Sequence, residues 1–302
     1  LGCATIPGGV GNTEQQLEAI ARFRPSGYVG TPDFVKILLD TAEKTGRDAS
    51  SLKRGLMSGA ALPGSLRDEL MGRGFAALQC YALAEGGVVV LSIDFRNPPE
   101  ATYPASVADV NYAIRWLKAN AAKFQSSASM VGVMGTSSGG HIAVLTGMKP
   151  TDPRYTAVPL ASAPQVDARV NYVVTLWPVI CPIGRYRYHH ARAEGPAPAA
   201  IKQMQYWLTE DAMAEGSPDL ALKRGDKVEL PNILFVQNPA DSMHPRQYMD
   251  SFVAGYRKAG GKIELALYDE MPHDILRSKP QSATAQAEIR RIVEFIRKQA
   301  SR

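Results

Sequence analysis

Gly135-Thr136-Ser137-Ser138-Gly139 sets a serine between two glycines, at a point where a β-type apolar run gives way to a helical pattern. A strand that turns directly into a helix at this spacing leaves Ser137 on a sharp bend. Its hydroxyl is then pushed above the sheet edge, and the positive end of the following helix is aimed there. The flanking glycines fit, because a side chain at either position is expected to collide with its neighbours. The alternative is a Gly/Ser-rich turn that only caps a helix. A serine hydroxyl is a weak nucleophile, so it needs a base, and the base needs an acid to orient it. Two later stretches supply them: Asn238-Pro-Ala-Asp241 follows an apolar run at 233–237, and Glu270-Met-Pro-His273 follows one at 263–268. Both side chains then project from the same sheet edge as Ser137. The chemistry this spacing allows is acyl transfer, in which Ser137 attacks, His273 takes and returns the proton, and Asp241 orients His273.

The other histidines have plainer readings. His141 falls one turn into the helix after Ser137, which suits a structural role. His189 and His190 lie in the basic stretch Arg185-Tyr-Arg-Tyr-His-His-Ala-Arg192, a solvated surface or else a contact for an acidic or aromatic substrate. His244 stands three residues past Asp241 and just before Pro245, so it is expected near the start of the next helix rather than as the base.

The elements that must hold these groups follow from periodicity. Helices are predicted at 13–23, 32–44, 66–71, 75–84, 107–123, 139–147, 248–259 and 285–299. Strands are predicted at 28–31, 56–58, 88–94, 129–134, 170–179, 233–237 and 263–268. The β-branched run at 88–94 suits a parallel strand covered on both faces. Alternating strands and helices make a doubly wound, mostly parallel α/β sheet. Residues 181–226 break the pattern and read as a helical insertion over the sheet, a lid. Its Tyr186, Tyr188 and Trp207, with Trp177 just before it, are candidates to line a substrate pocket, plain packing being the alternative.

Composition narrows the class. Of 302 residues, 45% are hydrophobic and 21% charged, which excludes disordered, collagenous and low-complexity chains. Thirty-four Lys and Arg against 29 Asp and Glu leave a net charge of +5 without a basic block, so no nucleic-acid partner is expected. Cys3, Cys80 and Cys181 are too far apart for a metal or disulfide pattern, and neither a metal nor a cofactor is expected. Apolar runs fall well short of the ~20 residues of a membrane span, so no membrane partner is expected. The chain begins at Leu1 with no leader pattern, and the expected compartment is the cytoplasm. Monomer and homodimer both fit.

From about residue 86 to 302 the chain resembles the α/β-hydrolase superfamily, in particular the hormone-sensitive-lipase-like and acetyl-esterase-like carboxylesterases. The residues that carry this are Asp94-Phe-Arg96-Asn-Pro-Pro-Glu100 with Tyr103-Pro104 and Asp109, then Gly135-Thr-Ser-Ser-Gly-Gly-His141, then Glu270-Met-Pro-His273, with Ser, Asp and His in that order along the chain. The resemblance implies hydrolysis of small-molecule, short-chain acyl esters by Ser137, Asp241 and His273, with the Ser138 amide in the oxyanion hole. The family's His-Gly-Gly loop has no counterpart upstream of Ser137. A catalytically weakened fold serving as a binding module is therefore the alternative.

Residues 1–85 resemble an internal piece of an AMP-forming ligase of the phenylacetate-CoA-ligase type, through Gly30-Thr-Pro, Ser51-Leu-Lys-Arg, Ser58-Gly-Ala-Ala-Leu-Pro63 and Tyr81-Ala-Leu-Ala-Glu85. That family's phosphate loop, ribose-binding Asp and C-terminal Lys domain have no counterpart, so adenylation is not expected. This segment is expected to pack onto the hydrolase sheet in place of its early strands. Gly59 and Ala60, small residues after a strand, are then the candidates for the missing oxyanion donors.

Overall fold

The computed structural model describes residues 12–57, 64–74, 76–78, 83, 87–91, 93, 95–192, 198–269, 273, 275–278 and 282–300. The chain divides into two compact units. One comprises Leu1–Ser92 with Leu276–Lys279, the other Ile93–Ile275 with Pro280–Arg302.

The smaller unit runs α1 (Thr13–Phe23), β1 (Gly27–Gly30), α2 (Pro32–Thr45), β2 (Arg54–Met57), α3 (Gly64–Gly72) and β3 (Ala76–Leu78). Its strands are parallel in the order β1-β2-β3. Pro32 starts α2 where its missing N–H costs nothing, and Gly46 ends it in the left-handed region, φ 65°. Between them Val35, Leu38 and Ala42 recur on one face and meet Leu17, Ile20, Leu52 and Leu70 in a separate core.

Two predictions about this half are corrected. Of the helix expected at 75–84, Ala76–Leu78 form the strand β3, because pairing with β2 outweighs the helix preference of Ala76 and Ala77, while Leu83 is helical. The strand expected at 88–94 is absent among its described residues, 88–91 and 93. β-branched composition makes a strand only where a neighbouring strand takes its backbone groups, and Val89 is left exposed.

The larger unit contains α4 (Ala105–Asn120), β4 (Val133–Thr136), α5 (Ser138–Met148), β5 (Tyr172–Leu176), α6 (Pro182–Arg192), α7 (Pro198–Trp207), α8 (Glu210–Glu215), α9 (Pro218–Arg224), β6 (Asn232–Gln237), α10 (Arg246–Lys258) and β7 (Ile263–Leu267); α11 (Ile275–Ser278) belongs from Leu276 on to the smaller unit, and α12 (Ala283–Ala300) again to the larger. Strands β4 to β7 pair in sequence order, all parallel, with Val133, Val173, Ile233 and Ile263 in one register row. Every β5 residue is buried, as a parallel strand covered on both faces requires. Helix α5 covers one face: a Cβ on Gly147 would lie 2.8 Å from Val173. Helix α12 covers the other, where Phe295 meets Tyr172 edge to face at 6.1 Å. Helix α5 has no polar stripe, and its residues from Gly140 to Met148 are all buried. Residues 181–226 form the helices α6 to α9. Among the described residues no helix is long and apolar enough to cross a membrane.

Phe252 on α10 is fully buried against Phe235 of β6 and Tyr256. Phe252→Ala is expected to lower stability by about 3–5 kcal/mol, read as a lower urea midpoint at unchanged slope.

Candidate active site

β4 ends at Thr136, and the next residue reverses the chain into α5. Ser137 adopts φ 57°, ψ −119°, a conformation that costs about 1–3 kcal/mol and persists only when its surroundings impose it. They do so through its peptide groups. The Ser137 N–H donates to the Leu176 carbonyl at 2.8 Å, as a further rung of the β4–β5 ladder, while its carbonyl accepts the His141 N–H at 3.0 Å and starts the helix.

Gly135 is what makes the bend possible, since a Cβ there would lie 2.2 Å from the Gly139 carbonyl oxygen. The expectation for Gly139 is corrected: a Cβ there meets nothing within 4 Å among the described residues. The second indispensable glycine is Gly140, whose added Cβ would sit 2.7 Å from the Thr175 hydroxyl and 3.1 Å from both the Gly135 carbonyl and Pro178. Close approach of α5 to β5, rather than the bend itself, sets that requirement. Ser138, the first residue of α5, holds an N–H with no partner inside the helix, the expected oxyanion donor. Gly59 and Ala60 lie outside the described residues.

Asp241 and His273 are in contact. The Asp241 side chain is buried in the turn after β6, where Oδ1 accepts the Met243 N–H at 2.8 Å. Oδ2 faces His273 Nδ1 at 3.0 Å. An ionised carboxylate only accepts, so Nδ1 carries the proton and Nε2 of His273 is left as a proton acceptor. The His273 side chain is 32% exposed. Its ring stands 5.7 Å from that of Trp177, which follows β5 at φ 44° with its N–H bonded to the Val236 carbonyl. Among the described residues no hydrogen bond joins the Ser137 hydroxyl to His273, an arrangement common before substrate binds.

His244 belongs to this site too. Its Nδ1 lies 3.2 Å from the same Oδ2 of Asp241, and its ring stacks on His273 at 4.8 Å, tilted by 9°. It does precede α10, as expected, but it also points back at the acid. The signal in the sequence was the three-residue spacing Asp241 to His244, which in a turn brings both side chains to one side. The three groups offer two imidazoles and a carboxylate within 4.8 Å, a donor set a metal ion could use. Hydrogen bonding to Oδ2 already accounts for their closeness.

The remaining candidates disperse. His141 donates through Nε2 to the Gly216 carbonyl at 2.8 Å, tying α5 to the α8–α9 junction. Trp207 is buried among Tyr103, His141 and Tyr206, so packing replaces the substrate contact expected of it. Tyr186 packs against His190 with the rings tilted by 44° and, with Ile201, Met204 and Leu208, lines a cavity of about 360 Å³. Tyr188 accepts from Arg192, which also lies over its ring. His189 Nε2 and Arg185 Nε both reach the Met243 carbonyl, so α6 is fastened to the loop of the acid.

Burial alone would push the Asp241 carboxyl up, but its bonds to His244 and His273, with the Met243 amide, hold it well below the usual carboxylate range. Burial acts the other way on imidazoles and brings His141 and His244 each down to about 4. The unfolded chain binds protons at these two positions from about pH 6.5 downward, while the folded chain resists until about pH 4. Stability therefore falls as pH drops through that window, by on the order of 2–3 kcal/mol per histidine. Urea midpoints are expected to decline from pH 7 to pH 4.5, with a shallower decline in His141→Gln.

Residues 67–210 match the family model BD-FAE, and residues 2–116 match the AMP-binding enzyme model. Esterase LipC of Mycobacterium tuberculosis is 42% identical over 103 residues, which cover 32% of this chain and 26% of that protein. Phenylacetate-coenzyme A ligase of Aromatoleum evansii is 33% identical over 88 residues, covering 28% of this chain and 20% of the ligase. The chain thus spans about a quarter of the one and a fifth of the other. In structure it is similar to a hyperthermophilic esterase from Pyrobaculum calidifontis, with a TM-score of 0.57 at 20% identity, over 92% of this chain and 78% of that one. With the parallel sheet and the strand–turn–helix at Ser137, the structural likeness shows an α/β-hydrolase fold, and parts of the chain are similar in sequence to carboxylesterases and, over residues 2–116, to AMP-binding enzymes.

Proposed function

We propose that the chain is a serine carboxylesterase acting on small, short-chain acyl esters. The observation that supports this most directly is the pairing of buried Asp241 with partly exposed His273 at the same carboxyl edge of the sheet as the constrained turn of Ser137. In the proposed cycle the Ser137 hydroxyl proton passes to Nε2 of His273 as Oγ bonds to the ester carbonyl carbon. The oxyanion faces the Ser138 N–H and the positive end of α5. When the ester C–O bond breaks, the departing alcohol takes the proton from Nε2. Water then attacks the acyl carbon while Nε2 of His273 takes its proton, the C–Oγ bond breaks, Nε2 returns the proton to the Ser137 Oγ, and the carboxylic acid leaves. Asp241 stays ionised throughout and balances the imidazolium, which its suppressed proton affinity supports.

The second reading is a weakened hydrolase fold that binds rather than turns over. It is favoured by the single oxyanion donor, Ser138, among the described residues, since one missing donor costs about 10²–10³ in turnover.

Hydrolysis of p-nitrophenyl butyrate by the chain and by Ser137→Ala, without ATP or metal, separates the two. The esterase reading expects kcat/KM to fall about 10³-fold or more in the variant, and fluorophosphonate labelling at Ser137 to disappear. Equal, background rates for both proteins would replace it with the binding module.

A further inference from the structure

His244 is more than a neighbour of the proposed base. It and His273 address one oxygen of one carboxylate, at 3.2 and 3.0 Å, while the other oxygen is taken by the Met243 amide. Their rings lie parallel at 4.8 Å, and Trp177 packs on His273 at 5.7 Å. The two histidines differ in access: the His244 side chain is 5% exposed and that of His273 is 32% exposed. Only His273 can meet a substrate.

We propose that His244 is a positioning residue which, by sharing Asp241 with His273, holds the plane of the base and sets the acid limb of the esterase reaction. The inference rests on the reading of His273 as base.

His244 acts on His273 electrostatically and mechanically. A carboxylate raises the proton affinity of an imidazole by its charge and by accepting a charge-assisted hydrogen bond. Oδ2 divides that between two donors, so each Nδ1–H receives less than a sole donor would. Removing the His244 donor gives the oxygen wholly to His273, whose imidazolium is then better stabilised. Activity that requires neutral His273 then begins at a higher pH.

The second effect is mechanical. His244 is held by burial, by the Gln237 side chain at its carbonyl and by the start of α10 at Pro245, so its ring is a fixed surface for His273 to lie on. The titratable and charged groups around the pair are Asp241 on its own loop, Arg185 and His189 from α6, Cys181 just before α6, and Tyr248 from α10. Burial, with the nearby Arg185 charge, keeps His244 neutral at working pH, so it donates from Nδ1 without adding charge. Its buried Nε2 has no protein partner among the described residues. A cavity of about 10 Å³ beside it, lined also by Arg185, Gln237 and Tyr248, has room for about one water.

The test is the pH profile of kcat/KM on p-nitrophenyl butyrate for the full chain, His244→Phe and His244→Gln. The phenylalanine keeps a flat ring and removes the donor, so the acid limb is expected to move up by about half a pH unit or more. The glutamine restores an N–H for Oδ2 and is expected to return the limb toward its original position. A phenylalanine variant whose limb stays in place, whatever its rate, overturns the inference, because a purely structural role lowers rate without moving the limb. Nitrogen-15 histidine spectra of the unaltered chain at pH 7 decide independently of folding in the variants and of turnover. Protonation of both His244 and His273 at Nδ1 is expected, and a His244 protonated at Nε2 overturns the proposal. Failure of the esterase reading itself has a different sign, an unaltered chain no faster than Ser137→Ala.

Discussion

At Ser137 the chain is asked to finish a strand and begin a helix within one residue, and the peptide groups of that residue serve both elements. Its N–H extends the ladder with β5, and its carbonyl opens α5. Everything at the site is measured from this junction. The backbone there is strained, so packing must supply what the local conformation lacks. It comes from α5 lying so close to β5 that Gly140 and Gly147 leave no room for a side chain. Burial along the whole of β5, with α12 behind it, gives that contact something rigid to press against.

The second organising element is a single buried negative charge. A carboxylate taken out of water is unfavourable unless hydrogen bonds replace its hydration. Asp241 receives three, from Met243, His244 and His273, each from a different point of the surrounding loops. One charge thereby draws together the chain after β6, the start of α10 and the loop after β7. The same economy explains why His141 and His244 are neutral. With little water near them, an imidazolium at either position has too few partners.

How far this was legible in the sequence depends on how local each feature is. Ser137, Asp241 and His273 each follow a run of strand-like residues, and parallel strands deliver such positions to one edge. The Asp241–His273 contact joins two of them. The role of His244 was hidden because its burial belongs to the fold around it, and a histidine before a proline reads first as a helix start. Gly139 and Gly140 are indistinguishable in a motif, yet only the second faces Thr175. In the first ninety residues, Ala76 and Ala77 favour a helix until β2 is placed beside them, and the valines at 88–90 favour a strand but pair with none among the described residues.

Helix α6 is fastened to the loop of Asp241 through one residue, Met243. Arg185 and His189 hold the carbonyl of Met243, and the N–H of the same residue holds Asp241. Two adjacent peptide groups, one on each side of the Met243 Cα, thus connect α6 to the carboxylate. The position of α6 and the orientation of the Asp241 carboxylate are therefore referred to the same residue, so the backbone torsions of Met243 tie one to the other.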